Sequence, residues 1–247
     1  MTEARLAGRS VLITGAGSGI GRGLAELAVA SGADATLVDV DGASVAGLAP
    51  AGRGRACAMD VADAAAWERL PRPERGWDFV ALNAGVMTAP PDAPREATHL
   101  LTMDLARYER VMRVNVDGVV HGVRRVVPDL VDGGAIVVTA SAAGLVGYAQ
   151  DVAYSMSKHA VVGLVRGLAP LLDRRKKGQR VCALCPGGVR TRIVPAVFET
   201  MPLMEPAVVA RAIVDLWLDG ANGDVKAKMR PELPALRIDE PELPPWW

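Results

Sequence analysis

Two residues one helical turn apart, Tyr154 and Lys158, have the clearest potential for chemistry in this sequence. Side chains at positions i and i+4 lie on the same face of a helix, so the spacing predicts a phenol beside an ammonium group. A neighbouring positive charge favours the phenolate, and we expect it to lower the pKa of Tyr154 from its usual value of about 10. A phenol tuned in this way can exchange a proton with a substrate near neutral pH.

Two other polar residues could complete such a site. Ser141 follows a strand-like run 13 residues before Tyr154, and its hydroxyl can hydrogen-bond a substrate oxygen. Asn115 stands between two valines in a helical pattern, where a polar amide usually needs a specific partner. Each residue alone also fits an ordinary structural role, so the catalytic interpretation depends on their joint occurrence.

A glycine-rich segment near the N-terminus predicts a nucleotide site. The first strand-like run ends at Thr14, and the glycine-rich segment 15–21 follows it directly. A helical pattern begins within this segment, at Gly19. Glycines let the backbone approach a pyrophosphate, and the free N–H groups of a helix N-terminus attract its charge. The spacing differs from the literal G-x-G-x-x-G pattern. The residues expected to contact the cofactor here are Gly15, Ser18, Gly19, Ile20 and Gly21.

Asp39 decides the predicted type of dinucleotide. It ends the second strand-like run, 20 residues after Gly19, which is the usual offset for an acid on the adenosine ribose. A carboxylate there accepts hydrogen bonds from the ribose hydroxyls and repels a 2′-phosphate. Val40 and Asp41 follow, so no cation is adjacent, and we predict NAD rather than NADP. A turn or helix-cap role before Gly42 is the ordinary alternative for Asp39.

Polar and small residues also end the next two strands. Asp60 and Val61 close the third, and Asn83, Ala84 and Gly85 close the fourth. The carboxyl ends of parallel strands meet at one edge of such a sheet, where ligands bind. We therefore expect these residues to form an adenine-side wall.

The elements that must position these residues alternate along the chain. Predicted strands cover residues 10–14, 35–40, 55–59, 79–82, 135–139, 180–184 and 225–229, and predicted helices cover 19–31, 64–70, 104–130, 154–175 and 206–218. Most strands are continuously apolar, as expected for strands buried on both faces. The prediction is an α/β fold, Rossmann-like, with a doubly wound parallel seven-stranded sheet in a single domain.

The C-terminal segment differs in composition from the rest. We predict one dinucleotide-binding and catalytic domain at residues 1–230 and a proline-rich tail at 231–247. Five prolines forbid a regular helix in the tail, so it is either loose or packed across a neighbouring surface. The terminal Trp246 and Trp247 favour packing.

Composition restricts the partners and the compartment. The 247 residues carry 28 basic and 28 acidic side chains, which gives no electrostatic reason to expect nucleic acid or an anionic membrane. There is no apolar run of about 18 residues and no signal-peptide core before the first strand, so we predict a cytoplasmic protein. The three histidines lack ligand spacing, and we predict no metal.

Cys182 and Cys185 have the C-x-x-C spacing of redox and metal sites. Both fall in or just after one apolar strand-like run, and residues three apart in a strand point to opposite faces. We interpret them as two buried thiols rather than a functional pair.

Taken together, these motifs resemble the short-chain dehydrogenase/reductase family over about residues 7–230. Each motif alone is weak evidence for the family, but the set is specific because all its members occur in the family's order. Two departures stand out: Leu82 replaces the first of two asparagines usual before Ala-Gly, and the C-terminus runs into the proline tail. The set comprises the glycine-rich segment, Asp60, Asn83-Ala84-Gly85, Asn115, Ser141, Tyr154, Lys158 and Cys185-Pro186-Gly187-Gly188.

The resemblance implies a role for each matching residue. Tyr154 would be the general acid/base, and Lys158 would lower its pKa and hold the nicotinamide ribose. Ser141 would fix the substrate oxygen, and Asn115 would anchor a water chain from Lys158 to solvent. The nicotinamide side would be bound by Pro186, Gly187, Val189 and Thr191. The resemblance also implies a homodimer or homotetramer formed through the helices around Asn115 and Tyr154.

We therefore predict an NAD-dependent oxidoreductase that interconverts a small-molecule secondary alcohol and a ketone. The substrate wall should come from residues 86–89, 142–150 and 190–206, which are mostly apolar and suggest a hydrophobic, cyclic or steroid-like alcohol. Two alternatives stay open: an NADPH-dependent carbonyl or 3-oxoacyl reductase, and a non-catalytic NAD-binding scaffold or sensor. The predicted substrate contacts are Ser141, Ala143, Tyr148, Gln150 and Tyr154.

Overall fold

One central sheet organises the protein, shown by a computed structural model that describes residues 3–49, 54–194 and 202–242. Within the described residues the sheet has eight strands in the order β3-β2-β1-β4-β5-β6-β7-β8, and the first seven pair in parallel. The strands are β1 (Ser10–Thr14), β2 (Asp34–Asp39), β3 (Gly54–Ala58), β4 (Trp77–Leu82), β5 (Leu130–Thr139), β6 (Arg180–Pro186), β7 (Val225–Lys228) and β8 (Leu236–Arg237).

Helices cover both faces of the sheet, as the strand–helix alternation predicts. One core cluster packs α1 and α7 against one face, and a second packs α3, α5 and α6 against the other. The order of the strands reverses between β1 and β4, which opens a crevice beyond their carboxyl ends. The helices are α1 (Gly19–Ala30), α2 (Gly42–Ala46), α3 (Ala64–Arg69), α4 (Leu105–Met112), α5 (Gly118–Val126), α6 (Val152–Arg174) and α7 (Pro206–Asp219).

The helical stretch predicted over residues 104–130 is found, but it is not one regular α-helix. The segment forms α4, a π-helical turn at Arg113–Asp117, α5 and a short 3-10 turn at Val127–Asp129. Pro128 lacks the N–H group that would continue α5, so the helix ends and β5 begins at Leu130. The π-helical turn carries Asn115. Such turns are rare in proteins, and those that occur frequently lie at functional sites.

The seven-stranded prediction is also corrected, because the tail adds an eighth strand. β8 pairs antiparallel with β7, and the N–H of Ile238 donates to the Val225 carbonyl at 2.8 Å. The ammonium group of Lys228 donates to the carbonyls of Pro231 and Leu233 and holds the turn between the two strands. The prolines exclude a helix but leave this short stretch free to pair, and Trp246 and Trp247 lie outside the described residues.

The prediction of two buried thiols is confirmed. Cys182 and Cys185 are fully buried and belong to the core clusters on opposite faces of the sheet. Burial raises the pKa of Cys182 to about 12 and that of Cys185 to about 11, so both are protonated at neutral pH.

None of the helices in the described part of the chain is long and apolar enough to cross a membrane.

Candidate active site

A cavity of about 1240 Å³ extends along the carboxyl ends of the parallel strands. Nearly every residue predicted for the site lines it, although those residues come from six strands and the segments that follow them. The lining includes Gly15, Ser18, Gly19, Ile20, Asp39, Asp60, Val61, Asn83, Ala84, Gly85, Ser141, Ala143, Tyr148, Tyr154, Lys158, Pro186, Gly187, Val189 and Thr191.

Three predicted residues lie outside this lining. A Cβ atom on Gly21 would lie 2.0 Å from the Gly15 carbonyl oxygen, so this glycine lets α1 pack beneath the loop. Asn115 is completely buried behind the cavity wall. Gln150 lies outside the lining because its side chain is exposed where the chain turns into α6, and its carbonyl accepts from the Thr98 hydroxyl at 2.8 Å.

The glycine loop leaves room at the surface where a pyrophosphate would lie. Gly15 and Gly19 adopt φ values of +66° and +51°, which other residues rarely tolerate. A Cβ atom on Gly15 would lie 2.9 Å from the Ala84 Cα, and one on Gly19 would lie 2.9 Å from the Thr191 Cγ2. The loop is therefore confined between the end of β4 and the segment after β6, where side chains on Gly15 and Gly19 would not fit.

The carboxylate of Asp39 is fixed at the edge of that loop. Its Oδ2 accepts a hydrogen bond from the Gly17 N–H at 2.9 Å, and its Oδ1 accepts one from the Asp41 N–H at 3.0 Å. The cap of α2 is Asp41, whose side chain accepts from the Ala43 N–H, so Asp39 is not the helix cap. Asp39 is left facing the cavity with its orientation set by two backbone groups.

The end of β4 is tied to the strands on both sides. The Asn83 amide donates to the Thr14 carbonyl at 3.1 Å and accepts from the Thr139 hydroxyl at 3.0 Å. Leu82, which stands where the family usually has an asparagine, is buried in the core instead. One amide therefore links β1, β4 and β5 at the rim of the sheet, which is the edge formed by the carboxyl ends of its parallel strands.

Tyr154 and Lys158 are both buried on α6 and face the cavity. The Lys158 Nζ lies 5.6 Å from the centre of the Tyr154 ring and donates to the Thr139 carbonyl at 2.9 Å. The Ser141 side chain lies near enough to Tyr154 to lower the pKa of the phenol, and its Oγ accepts from the Ala143 N–H at 3.1 Å. The phenol, the ammonium group and the hydroxyl thus meet at one end of the cavity.

The expected lowering of the tyrosine pKa is not found. Burial raises the pKa of Tyr154 to about 12, and the hydrogen bond from Ser141 offsets only part of this effect. Burial also lowers the pKa of Lys158 to about 8. Desolvation disfavours both charged forms, and it is the largest cause of both shifts.

Asn115 connects the loop after β4 to α6. Its amide group donates to the Val86 carbonyl at 2.9 Å and to the Ser157 hydroxyl at 3.0 Å, and its Oδ1 accepts from the Val86 N–H at 2.8 Å. A Cβ atom on Gly85 would lie 3.3 Å from both the Asn115 Oδ1 and the Lys158 Nζ. These two polar groups therefore face the same small gap beside Gly85.

The junction between β7 and the tail reaches the cavity, which was not predicted from the sequence. Met229, Arg230, Pro231 and Glu232 all line it, and the Met229 Cε would lie 3.2 Å from a Cβ atom on Gly187. A signal was present, because residues that follow the carboxyl end of β7 must reach the same rim as those that follow β5.

Comparisons with known proteins agree with this geometry. Residues 9–202 match the family described as short chain dehydrogenase. The chain is 34% identical over 210 residues to the 2,5-dichloro-2,5-cyclohexadiene-1,4-diol dehydrogenase of Sphingobium indicum, covering 81% of this chain and 80% of that protein. It is 32% identical over 228 residues to the D-beta-hydroxybutyrate dehydrogenase of Cupriavidus necator, covering 87% and 83%.

A solved structure gives the same result. The 3-ketoacyl-(acyl-carrier-protein) reductase of Brucella melitensis, complexed with NADH, superimposes with a TM-score of 0.76 at 25% identity, covering 91% of this chain and 97% of that one. The fold, together with the residues that line the cavity at the carboxyl ends of the strands, defines a class of protein. It is an α/β oxidoreductase with a nicotinamide-dinucleotide site and a small-molecule substrate. The chain belongs to the short-chain dehydrogenase/reductase family.

Proposed function

We propose that this protein is an NAD-dependent oxidoreductase that interconverts a secondary alcohol and a ketone, with Tyr154 as general acid/base. One observation carries the proposal: the Tyr154 phenol, the Ser141 side chain and the Lys158 ammonium group line the same cavity as the glycine loop and Asp39. A proton-transfer group and a dinucleotide cradle in one cavity are what hydride transfer to and from an alcohol requires.

The fixed carboxylate of Asp39 supports the preference for NAD. It faces the cavity, and the exposed Val40 and the acidic Asp41 that follow offer no adjacent cation for a 2′-phosphate. Repulsion between the carboxylate and one phosphate charge at about 4 Å amounts to about 4 kcal/mol at an effective dielectric constant of about 20. Two ribose hydroxyls would instead donate to the carboxylate.

The other rim residues would hold the remaining parts of the cofactor. We assign Asp60 and Val61 to the adenine side and Lys158 to the nicotinamide ribose. When bound, the nicotinamide ring supplies the hydride acceptor or donor and, in its oxidised form, a positive charge beside the phenol. The pyrophosphate would lie on Gly15, Ser18, Gly19 and Ile20, beside Asn83, Ala84 and Gly85, and the nicotinamide on Pro186, Gly187, Val189 and Thr191.

The chain's own groups would then handle the proton. Ser141 would hold the substrate oxygen while the Tyr154 phenolate takes the hydroxyl proton during oxidation. With its pKa lowered to about 8, Lys158 can exchange a proton near neutral pH. Asn115 would guide that proton outwards, because it faces the same gap beside Gly85 as the Lys158 Nζ.

The substrate end of the cavity favours a compact hydrophobic alcohol. Tyr154 packs there with Met87 and Ala143, and with the partly buried Tyr148 and Ile193. A relative that matches four-fifths of the chain is named for a chlorinated cyclohexadiene diol, a cyclic secondary alcohol. We therefore propose a cyclic secondary alcohol or the matching ketone as substrate.

Assembly is part of the proposal. Leu105 on α4 and Met156 and Leu171 on α6 are large apolar side chains exposed to solvent. Exposed apolar residues on neighbouring helices favour a contact surface, so we propose a homodimer or homotetramer formed through these helices. Sedimentation equilibrium measures the assembly directly, and a monomer at micromolar concentration would contradict the proposal.

A panel of cyclic, aliphatic and steroid secondary alcohols tests the function, with formation of reduced nicotinamide followed by absorbance. We expect turnover of at least one cyclic alcohol, with kcat/KM at least about tenfold higher for NAD than for NADP. Tight NAD binding without turnover of any alcohol would support a sensor instead.

Two variants of β2 test the cofactor assignment. Asp39→Ala should narrow the preference for NAD, because the charge that repels a 2′-phosphate is gone. Asp34→Ala, at the opposite end of the same strand, is the matched control and should leave the preference unchanged. An unchanged preference in Asp39→Ala would contradict the assignment.

A further inference from the structure

A buried carboxylate, Asp151, stands three residues before Tyr154 and belongs to none of the motifs described above. It is only 1% exposed and caps the N-terminus of α6. Its Oδ1 accepts from the Tyr154 N–H at 3.0 Å and from the Thr88 hydroxyl at 2.6 Å, and its Oδ2 accepts from the Thr88 N–H at 3.0 Å. Three donors from two segments therefore converge on one carboxylate.

Thr88 belongs to the loop that follows β4 and is itself buried. Its neighbour Met87 lines the cavity and packs against Tyr154 and Ala143. The carboxylate thus closes this loop onto the first turn of α6, with the catalytic phenol between them. A helix cap alone would need only the contact with the Tyr154 N–H.

We propose that Asp151 is a positioning residue, whose carboxylate joins Thr88 to the first turn of α6 and so sets the position of the Tyr154 phenol. The inference rests on the proposed role of Tyr154 as general acid/base. Geometry at a reacting group matters strongly, because a displacement of about 1 Å can reduce a rate about a hundredfold.

The charge of Asp151 has a second effect on the phenol. The groups that face Tyr154 are Lys158 on its own helix, Ser141 and Tyr148 from the segment after β5, and Cys185 from β6. After burial, which is the largest cause, the negative charge of Asp151 contributes to the raised pKa of Tyr154 and also raises that of Tyr148. Removal of this charge should let Tyr154 ionise at lower pH.

Asp151→Asn tests both effects. An amide has one oxygen where the carboxylate has two, so one of the three donors loses its acceptor and the loop shifts. We expect kcat to fall about ten- to a hundredfold with little change in the KM for NAD, because the glycine loop is untouched. The limb of the pH profile for alcohol oxidation that depends on the phenolate should move to lower pH by up to about one unit.

Thr88 supplies an independent pair of variants, which also serves if Asp151→Asn fails to fold. Thr88→Val removes the hydroxyl at nearly constant size and should lower kcat, whereas Thr88→Ser keeps the donor and should recover most of it. Asp63→Asn is the control, because Asp63 caps α3 in the same way through the Ala65 N–H and should leave kcat and the pH profile unchanged.

A titration separates this proposal from the proposed function. The chain has three tyrosines, so Tyr108→Phe with Tyr148→Phe leaves Tyr154 as the single phenol. Its phenolate absorbance is read at pH values where circular dichroism shows a folded chain. Asp151→Asn should show more phenolate at each pH than the parent, even if no alcohol is turned over. Unchanged titration together with unchanged kcat in Asp151→Asn or Thr88→Val would overturn the positioning role.

Discussion

Lys158 shows how a single residue of the site opposes the stability of the fold. Its ammonium group is buried, and one hydrogen bond to the Thr139 carbonyl only partly replaces the lost hydration. Burial lowers its pKa from 10.5 to about 8, so the folded protein releases this proton before the unfolded chain does. The contribution of Lys158 to the free energy of unfolding is therefore unfavourable below about pH 8 and improves as the pH rises to about 10.5.

Lys158→Met should consequently stabilise the protein. We expect the free energy of unfolding at pH 7 to increase by about 1–3 kcal/mol, since a buried charge is replaced by an apolar chain of similar length. Urea unfolding at pH 7 and pH 10 measures the difference, which should shrink at the higher pH. Lys177→Met, at an exposed ion pair, should change stability by less than about 0.5 kcal/mol at either pH. A destabilised Lys158→Met, or a gain independent of pH, would contradict this account.

The residues of the rim could largely be predicted from the sequence, because each follows a strand-like run directly. How deeply those residues are buried, and how burial changes their pKa values, could not be predicted from the sequence. The local spacing of Tyr154 and Lys158 indicates proximity but not burial, and burial reversed the expected direction of the tyrosine pKa shift. Asp151 escaped notice for a similar reason, since its partner Thr88 is 63 residues away in the chain.

At the scale of the elements, the buried Arg125 joins two helices beneath the sheet. From α5 its guanidinium donates to the Trp67 carbonyl at 3.0 Å and the Leu70 carbonyl at 2.7 Å, where α3 ends, and it pairs with Asp129 at 2.8 Å. The Trp67 carbonyl also accepts from the Leu70 N–H at 3.1 Å, whereas the Leu70 carbonyl, just past the end of α3, accepts from the Arg125 guanidinium. The cation therefore satisfies a buried carbonyl at the helix terminus.

Arg125→Met should therefore destabilise the protein by about 2–4 kcal/mol, because the buried Leu70 carbonyl loses its donor and the partly buried Asp129 carboxylate keeps only its pair with the exposed Arg72. The neighbouring Arg124 is exposed, and Arg124→Met is the matched control with an expected change within about 0.5 kcal/mol. Urea unfolding of both variants provides the measurement. Equal stabilities for the two would show that Arg125 does not support the end of α3.

The irregular helical segment between β4 and β5 shows the limit of what hydrophobic patterns in the sequence can predict. The strand–helix alternation predicted the parallel sheet because the apolar strand runs are unambiguous. The π-helical turn was missed because it is accompanied by contacts of Asn115 with Val86 and Ser157, which lie 29 and 42 residues away. Hydrophobic periodicity cannot distinguish such a turn from a continuous helix.

For the whole molecule, the tail both closes the sheet and completes the cavity. β8 covers the free edge of β7, and Arg237 and Lys226 surround the buried carboxylate of Asp224 at 3.7 and 3.3 Å. The same segment begins with Pro231 and Glu232 at the cavity wall. Its prolines predicted an irregular conformation, but a two-residue strand was too short to recognise from the sequence.

A chain ending at Arg230 should fold but be less stable and bind substrate more weakly. We expect the Tm to fall by about 5–10 °C, because β7 becomes an exposed edge and Lys228 loses its carbonyl partners. The substrate KM should rise while the affinity for NADH changes by less than about twofold. Glu240→Ala, which removes only the exposed pair with Arg166, should leave both quantities unchanged. An unchanged Tm and KM in the shortened chain would exclude a role for the tail.

The central claim is that the Tyr154 phenol exchanges the proton of the substrate beside the dinucleotide. The most direct test is NAD reduction by Tyr154→Phe with the best alcohol of the panel, compared with Tyr108→Phe on α4 as control, because Tyr108 does not line the cavity. The account predicts that kcat/KM falls at least about a hundredfold in Tyr154→Phe, while NADH still binds and Tyr108→Phe stays active. Turnover by Tyr154→Phe within about threefold of the unmodified protein would contradict it.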